Sequence, residues 1–149
     1  MNLCYSINKA TLQEILNHLE RCDDQFIPPL SSTVILGEYA YKITQKAERV
    51  ECYNEQKLIA LVAFYMNRET GVSFITNVSV EKLFNNLGIA RKLVKKCEDI
   101  SLSQNIFQIK LEVNIYNSAA INLYNKLGYT EEKKNKTETL ILKKILENE

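Results

Sequence analysis

The stretch that most constrains this chain is residues 74–94, Phe-Ile-Thr-Asn-Val-Ser-Val-Glu-Lys-Leu-Phe-Asn-Asn-Leu-Gly-Ile-Ala-Arg-Lys-Leu-Val. A β-rich run, Val72 to Val80, enters a short polar turn that carries one of only four glycines in the chain. An amphipathic helix leaves the turn. Leu87, Ala90, Leu93, Val94, Cys97 and Ile100 recur at helical spacing, and Arg91, Lys92, Lys95, Lys96, Glu98 and Asp99 take the opposite, solvated face. Strand, glycine turn and helix start in succession can hold an anion, because free N–H groups and the positive end of the helix dipole converge there. The same succession is more often a plain strand-to-helix connection, so the stretch alone nominates a site without naming its ligand.

At 149 residues the chain is read as one domain, 1–149, large enough to bury a core without disulfides or metals. Apolar content of 46% and charged content of 25% place it among soluble globular proteins. A net charge of +1 gives no electrostatic drive toward nucleic acid or an anionic membrane. Cys4, Cys22, Cys52 and Cys97 lack C-x-x-C spacing, and His18 is the only histidine, so no metal site is expected. The longest apolar run, Leu58 to Met66, is too short to span a bilayer. With no secretory signal at the N-terminus, reduced thiols and a cytoplasmic location are expected.

Taken in order, residues 3–7 read as a strand, and Thr11 with Glu14 gives capping-box spacing for a helix striped by Leu12, Ile15, Leu16 and Leu19. His18 is expected on that helix's flank, at a surface or interface. Pro28 and Pro29 make Cys22 to Ser32 irregular. A second helix is expected through Tyr39 to Ala47. Arg49–Tyr53, Lys57–Met66 and Val72–Val80 read as three antiparallel strands, the middle one apolar enough to be buried on both faces. Ile109–Val113 alternates as a strand. Asn117 can N-cap the next helix, whose buried side is Ala120, Leu123, Tyr124 and Leu127, and Gly128 stops it. Tyr129–Lys133 and Thr137–Lys144 close as a hairpin. The order predicts a three-layer α+β domain.

Two segments give the chain a family resemblance. Asn85-Asn86-Leu87-Gly88-Ile89-Ala90, after Asn77-Val78-Ser79-Val80, is similar to the phosphate-loop motif of the GNAT superfamily of acetyl-CoA-dependent N-acetyltransferases. Leu111-Glu112-Val113, followed by Asn117-Ser118-Ala119-Ala120-Ile121-Asn122-Leu123-Tyr124 and ending Leu127-Gly128-Tyr129, resembles that superfamily's Asn-x-x-Ala-x-x-Leu-Tyr-x-x-x-Gly-(Phe/Tyr) pattern. The resemblance implies a GNAT-like α/β/α fold around a central mixed, mainly antiparallel sheet. One position departs from it: Asn85 stands where Arg or Gln is usual, and its shorter side chain implies weaker or rearranged diphosphate contacts.

The resemblance further implies acetyl-CoA as cosubstrate and no metal. The backbone of Val78, Ser79 and Val80 would hold the pantetheine arm as an added strand does, with an N–H near Val80 polarising the thioester. The N–H groups of Leu87, Gly88, Ile89 and Ala90, beside Asn85 and Asn86, would hold the diphosphate. Asn117 would touch the arm. Tyr124 would protonate the departing thiolate, since a phenol near pKa 10 and a thiol near 8.5 exchange protons at small cost. Glu112 matches the general base of some ribosomal-protein acetyltransferases and would need an inward, pKa-raising position; a strand-face charge paired with a lysine is an equal reading. Asp23, Asp24, Phe26, Ser31 and Tyr39 are candidates to meet the acceptor. The expected activity is N-acetylation of a small primary amine such as an amino sugar, polyamine or amino-acid derivative. The alternatives are acetylation of a protein N-terminal α-amine, and a non-catalytic acetyl-CoA sensor. The expected partner is the amine, with no nucleic acid or membrane, and with a homodimer admitted.

Overall fold

A computed structural model of the chain describes residues 1–147, so the last two residues of the expected domain lie outside the described residues. The elements run β1 (Leu3–Ile7), α1 (Leu12–Cys22), α2 (Leu36–Lys46), β2 (Glu48–Asn54), β3 (Lys57–Asn67), β4 (Val72–Val80), α3 (Ile89–Ser103), β5 (Gln108–Asn114), α4 (Ser118–Lys126), β6 (Thr130–Lys134) and β7 (Thr139–Ile145). Short 3₁₀ turns at Asp23–Gln25 and Leu30–Ser32 occupy the proline-bearing stretch that was expected to be irregular. Another, at Lys82–Phe84, leads into the glycine turn.

The seven strands form one mixed sheet in the order β1-β2-β3-β4-β5-β7-β6, with β4–β5 the parallel pair. Four helices connect them, which gives the α+β architecture expected. β3 lies between β2 and β4, and Leu58 to Phe64 are all buried. Its alternating side chains feed two cores. Leu61 and Ala63 pack with Ile15 and Leu19 of α1 and Ile43 of α2, while Val62 and Phe64 pack with Leu93, Val94 and Cys97 of α3. Each such leucine is worth about 1.5–3 kcal/mol when taken out of water, so both faces are held independently.

α1 begins as its capping box requires. Thr11 Oγ1 accepts from the Glu14 N–H at 3.2 Å, and Glu14 Oε1 accepts from the Thr11 N–H at 3.0 Å. Behind the cap, the buried Glu51 carboxylate accepts from the N–H groups of Lys9 and Ala10 at 2.9 and 2.8 Å and from Ser6 Oγ at 2.7 Å. Arg49 Nε lies 3.3 Å from the same carboxylate. This cluster ties β1 and the start of α1 to β2.

Two expectations are corrected. His18 is fully buried, not on a flank. The inner face of α1 is Ile15, His18, Leu19 and Cys22, a helical i, i+3, i+4, i+7 set, and Leu12 is rotated toward solvent. Glu98 leaves the polar face of α3 because it has partners inside: the Tyr129 hydroxyl donates to it at 2.9 Å and Lys144 Nζ at 3.0 Å. No helix among the described residues is long and apolar enough to cross a membrane, and among them no group of three or more His, Cys, Asp or Glu could hold a metal ion.

Candidate active site

The site begins as a fork in the sheet. β4 and β5 pair only from Val72–Ile75 against Gln108–Leu111, and beyond those residues two cavities line the divergence. A bulge precedes the fork. The β3–β4 register shifts between Ala63 and Phe64, which pair with Asn77 and Ile75 and leave Thr76 as the extra residue. The bulge reverses the facing of β4. Before it, Ser73 Oγ meets Ser101 Oγ of α3 at 2.7 Å. After it, Asn77 and Ser79 turn toward α1 and α2, and Val78 and Val80 pack on the α3–α4 core.

The bulge also sets which backbone groups face the fork. The Glu81 N–H donates to the Ile59 carbonyl at 2.8 Å, so residue 81 is hydrogen-bonded to β3. Such pairs alternate along an antiparallel ladder. Ser79 therefore also bonds toward β3, and the N–H and C=O of Val78 and Val80 point into the fork.

The first cavity, about 460 Å³, runs from Val78, Ser79 and Val80 to the start of α3. Gly88 caps that helix in the left-handed region, φ 78°, with no side chain bonding the first turn, and Asn86 before it is also left-handed at 65°. A Cβ added to Gly88 would meet nothing within 4 Å, so the position needs glycine for its φ, and the space above it is open. The first-turn N–H groups of α3 have no intrahelical acceptor and lie at the cavity wall formed by Gly88, Ile89, Ala90 and Arg91. That is the chemistry of an anion cradle, and it fits a diphosphate. Leu87 is half exposed and its side chain is not part of the lining, so it can contribute through its backbone only. Asn85 is exposed at the cavity wall, where its Nδ2 donates to Gln25 Oε1 at 3.1 Å.

The second cavity, about 540 Å³, shares Phe26, Val78, Asn117, Ala120 and Leu123 with the first. Asn117 accepts the Ala120 N–H at 3.2 Å and so caps α4 while touching both spaces. Tyr124 lines the second cavity from α4, is 5% exposed, and stacks edge-on against Tyr129 with centroids 5.7 Å apart. Burial, helped by the neighbouring Cys97, pushes its phenol well above the ordinary value, so it stays protonated. Glu112 also lines this cavity, but from its exposed rim, where it accepts from Asn135 Nδ2 at 2.8 Å. The inward position expected for it is not observed: Ile109, Leu111 and Val113 take the buried side of β5, and alternation turns Glu112 outward.

Of the expected acceptor residues, Phe26 lines both cavities. Asp23 is spent on Ser31, whose N–H and hydroxyl it accepts at 2.7 and 2.5 Å. Tyr39 donates to the Thr76 carbonyl at 3.0 Å, and Asp24 lines neither cavity. Sequence reasoning missed Arg91 and Gln25 as cavity residues. Arg91 was placed on the solvated face, although its position directly after Ala90 puts it in the first turn.

The family model described as "Acetyltransferase (GNAT) family" matches residues 12–129. The chain belongs to the GNAT family. The match reaches from α1 to the residue after α4 and so contains both cavities. Among curated relatives, N-alpha-acetyltransferase 30 of Saccharomyces cerevisiae is 36% identical over 61 residues, 41% of this chain and 35% of that protein. The curated relatives are longer, the aligned stretch spanning 21% to 35% of their length. Among solved structures, the PaiA N-acetyltransferase of Thermoplasma acidophilum in complex with coenzyme A superposes at TM-score 0.77, with 13% identity over 95% of this chain and 99% of that one. The aminoglycoside 6′-acetyltransferase type Ii superposes at 0.81, with 13% identity over 100% and 99%. At such identities these likenesses establish the GNAT fold and leave the acceptor to the site itself.

Proposed function

We propose that this chain transfers the acetyl group of acetyl-CoA to a primary amine, the two ligands meeting in the fork between β4 and β5. The observation that carries the reading is the junction of the two cavities, where Val78 presents free backbone to one space and α4 presents Tyr124 to the other. The family's use of acetyl-CoA supports it.

In this reading Val78 and Val80 bond the pantetheine amides through their backbone, and the Val80 N–H polarises the thioester carbonyl. The α3 N-terminus takes the diphosphate, with Arg91 supplying the positive charge that Asn85 cannot. Asn117 contacts the arm. Glu112, through water at the cavity rim, removes the proton that an ammonium must lose before attack. The amine nitrogen then bonds the acetyl carbon, the carbon–sulfur bond breaks, and the Tyr124 hydroxyl donates its hydrogen toward the sulfur. Burial makes complete ionisation of Tyr124 costly, so its contribution is a strong hydrogen bond to the departing thiolate, with the proton following as the sulfur gains charge.

The acceptor proposed is a small amine of single positive charge. Glu112 is the only carboxylate lining the second cavity, beside apolar Phe26, Ile27, Pro28 and Leu30. A polyamine would leave its further charges unpaired there, whereas an amino-acid derivative would not. The similarity to a yeast N-alpha-acetyltransferase favours a second reading, an N-terminal α-amine of a peptide.

Thermal denaturation with and without acetyl-CoA tests the first half. At 100 times Kd the ligand adds about 2.7 kcal/mol, a rise of roughly 5–10 °C for a domain of this size. No shift at millimolar ligand would sink the cofactor assignment. Thiol release across amino-acid amides, polyamines, amino sugars and short peptides then tests the transfer. A shift without release for any amine would instead mark a sensor.

A further inference from the structure

A buried run of polar side chains links the two cavities on the α1 side of β4. The Tyr39 hydroxyl lies 3.0 Å from the Thr76 carbonyl and 3.4 Å from Asn77 Nδ2. Asn77 Oδ1 lies 2.8 Å from Ser79 Oγ, which lies 2.9 Å from His18 Nε2. Cys22 Sγ is 3.8 Å from His18 Nδ1. Ser79 and Cys22 line the first cavity, Thr76 and Asn77 the second, and His18 is fully buried between them.

The direction of every bond follows from one end. A carbonyl can only accept, so Tyr39 must donate to Thr76. Its hydroxyl then accepts from the amide nitrogen of Asn77, which turns the amide oxygen toward Ser79. Ser79 spends its single hydrogen on that oxygen and must accept from His18. His18 therefore carries its hydrogen on Nε2, and bare Nδ1 is left to accept from the Cys22 thiol. The carbonyl of the bulge residue dictates the tautomer of a histidine on another element. Burial, with Arg21 adding to it, lowers the His18 pKa to about 4 despite Glu81, so the ring is neutral as the run requires. Burial and Glu81 push the Cys22 thiol up to about 12, so the first donor keeps its hydrogen.

We infer that His18 is a positioning residue for the transfer reaction, heading a one-way run of hydrogen bonds that fixes the bulge of β4 between the two cavities. The bulge decides where Val78 and Val80 present their backbone, hence where thioester and amine meet. The kinetic part rests on the transferase reading above; the tautomer does not.

Long-range ¹H–¹⁵N spectra of the wild-type protein at neutral pH report the tautomer. The expected result is hydrogen on Nε2 and bare Nδ1; the other tautomer, or an imidazolium, overturns the inference. In kinetics, His18→Leu and Tyr39→Phe should each lower kcat about tenfold, the loss of one buried hydrogen bond, with the KM for acetyl-CoA little changed. The double variant should be no worse than the poorer single one, because both cut the same run. His18→Gln, whose amide can still donate to Ser79, should recover most of the rate. Multiplicative losses, or no recovery with glutamine, would make these positions independent packing sites and overturn the inference. Should His18→Leu fail to fold, Ser79→Ala takes its place in the cycle. A wild type with no turnover would refute the transferase reading; normal turnover with the wrong tautomer would refute this inference alone.

Discussion

Tyr124 and Glu112 hold opposite proton assignments, and their settings match them. The first is buried and held protonated; the second is at a rim with water and an amide for neighbours. Tyr124→Phe keeps the packing against Tyr129 and removes only the hydroxyl. It should lower kcat on the order of 10²-fold, the scale of lost acid catalysis, while the thermal shift with acetyl-CoA persists. An unchanged kcat would refute its role. Glu112→Gln should cost a similar factor at neutral pH, again on the order of 10², and the deficit should shrink as rising pH deprotonates the amine in solution. A pH–rate profile identical to wild type would hand the proton to backbone carbonyls and water. Both residues were visible in the sequence because each sits at a fixed offset from Asn117 and Gly128. His18 was misjudged because Leu12 and Leu16 drew the stripe of α1 one position around the helix. A histidine can occupy an inner face only when polar groups wait there, and Ser79 is sixty-one positions away.

Among the elements, the helices were the most legible because their ends are written in short-range chemistry. Thr11 with Glu14 starts α1, Asn117 starts α4, and Gly88 starts α3. Thr11→Ala removes a donor–acceptor pair and should cost about 1 kcal/mol, read as a lower urea midpoint with unchanged slope. Gly88→Ala is a different test. It forces a side chain into the left-handed region at about 1–2 kcal/mol and places a methyl over the cradle, so acetyl-CoA affinity should fall together with stability. If affinity held while stability fell, the diphosphate would lie elsewhere. Strand edges were also legible, but the bulge at Thr76 was not. Phe74 to Val80 reads as an uninterrupted strand, and the extra residue is defined only by its partners, Ala63 and Phe64. For the same reason the second cavity escaped sequence reasoning: it is built by residues from β4, β5, α4 and two loops that meet only when the sheet divides.

At the scale of the molecule, two cores on opposite faces of one sheet hold a histidine that cannot accept a proton where it lies. Its pKa is about 4 when folded against about 6.5 when free. Below pH 6.5 the unfolded chain therefore binds more protons than the native one, and stability falls as pH drops through that window toward 4. The contribution is fully present above pH 6.5 and amounts to about 3 kcal/mol by the lower pH, from the 1.36 kcal/mol per unit of linkage. Urea midpoints measured at pH 7, 6 and 5 should decline, and His18→Gln should flatten the decline. An equal slope in that variant would assign the acid sensitivity to carboxylates.

The bulge in β4 also governs which kinds of genetic change the site can survive. Substitutions at Asn77 or Val78 alter one side chain each, but removing a single codon at Thr76 would exchange the two faces of everything up to Val80. Asn77 and Ser79 would be driven among Leu93 and Val94, and the two valines beneath His18 and Tyr39. The strand therefore behaves like a text with a reading frame: tolerant of misspelling, intolerant of a dropped letter. In a deletion scan of the gene, loss should be abrupt from Thr76 to Val80 and mild across the turn from Asn67 to Gly71, where no parity is at stake.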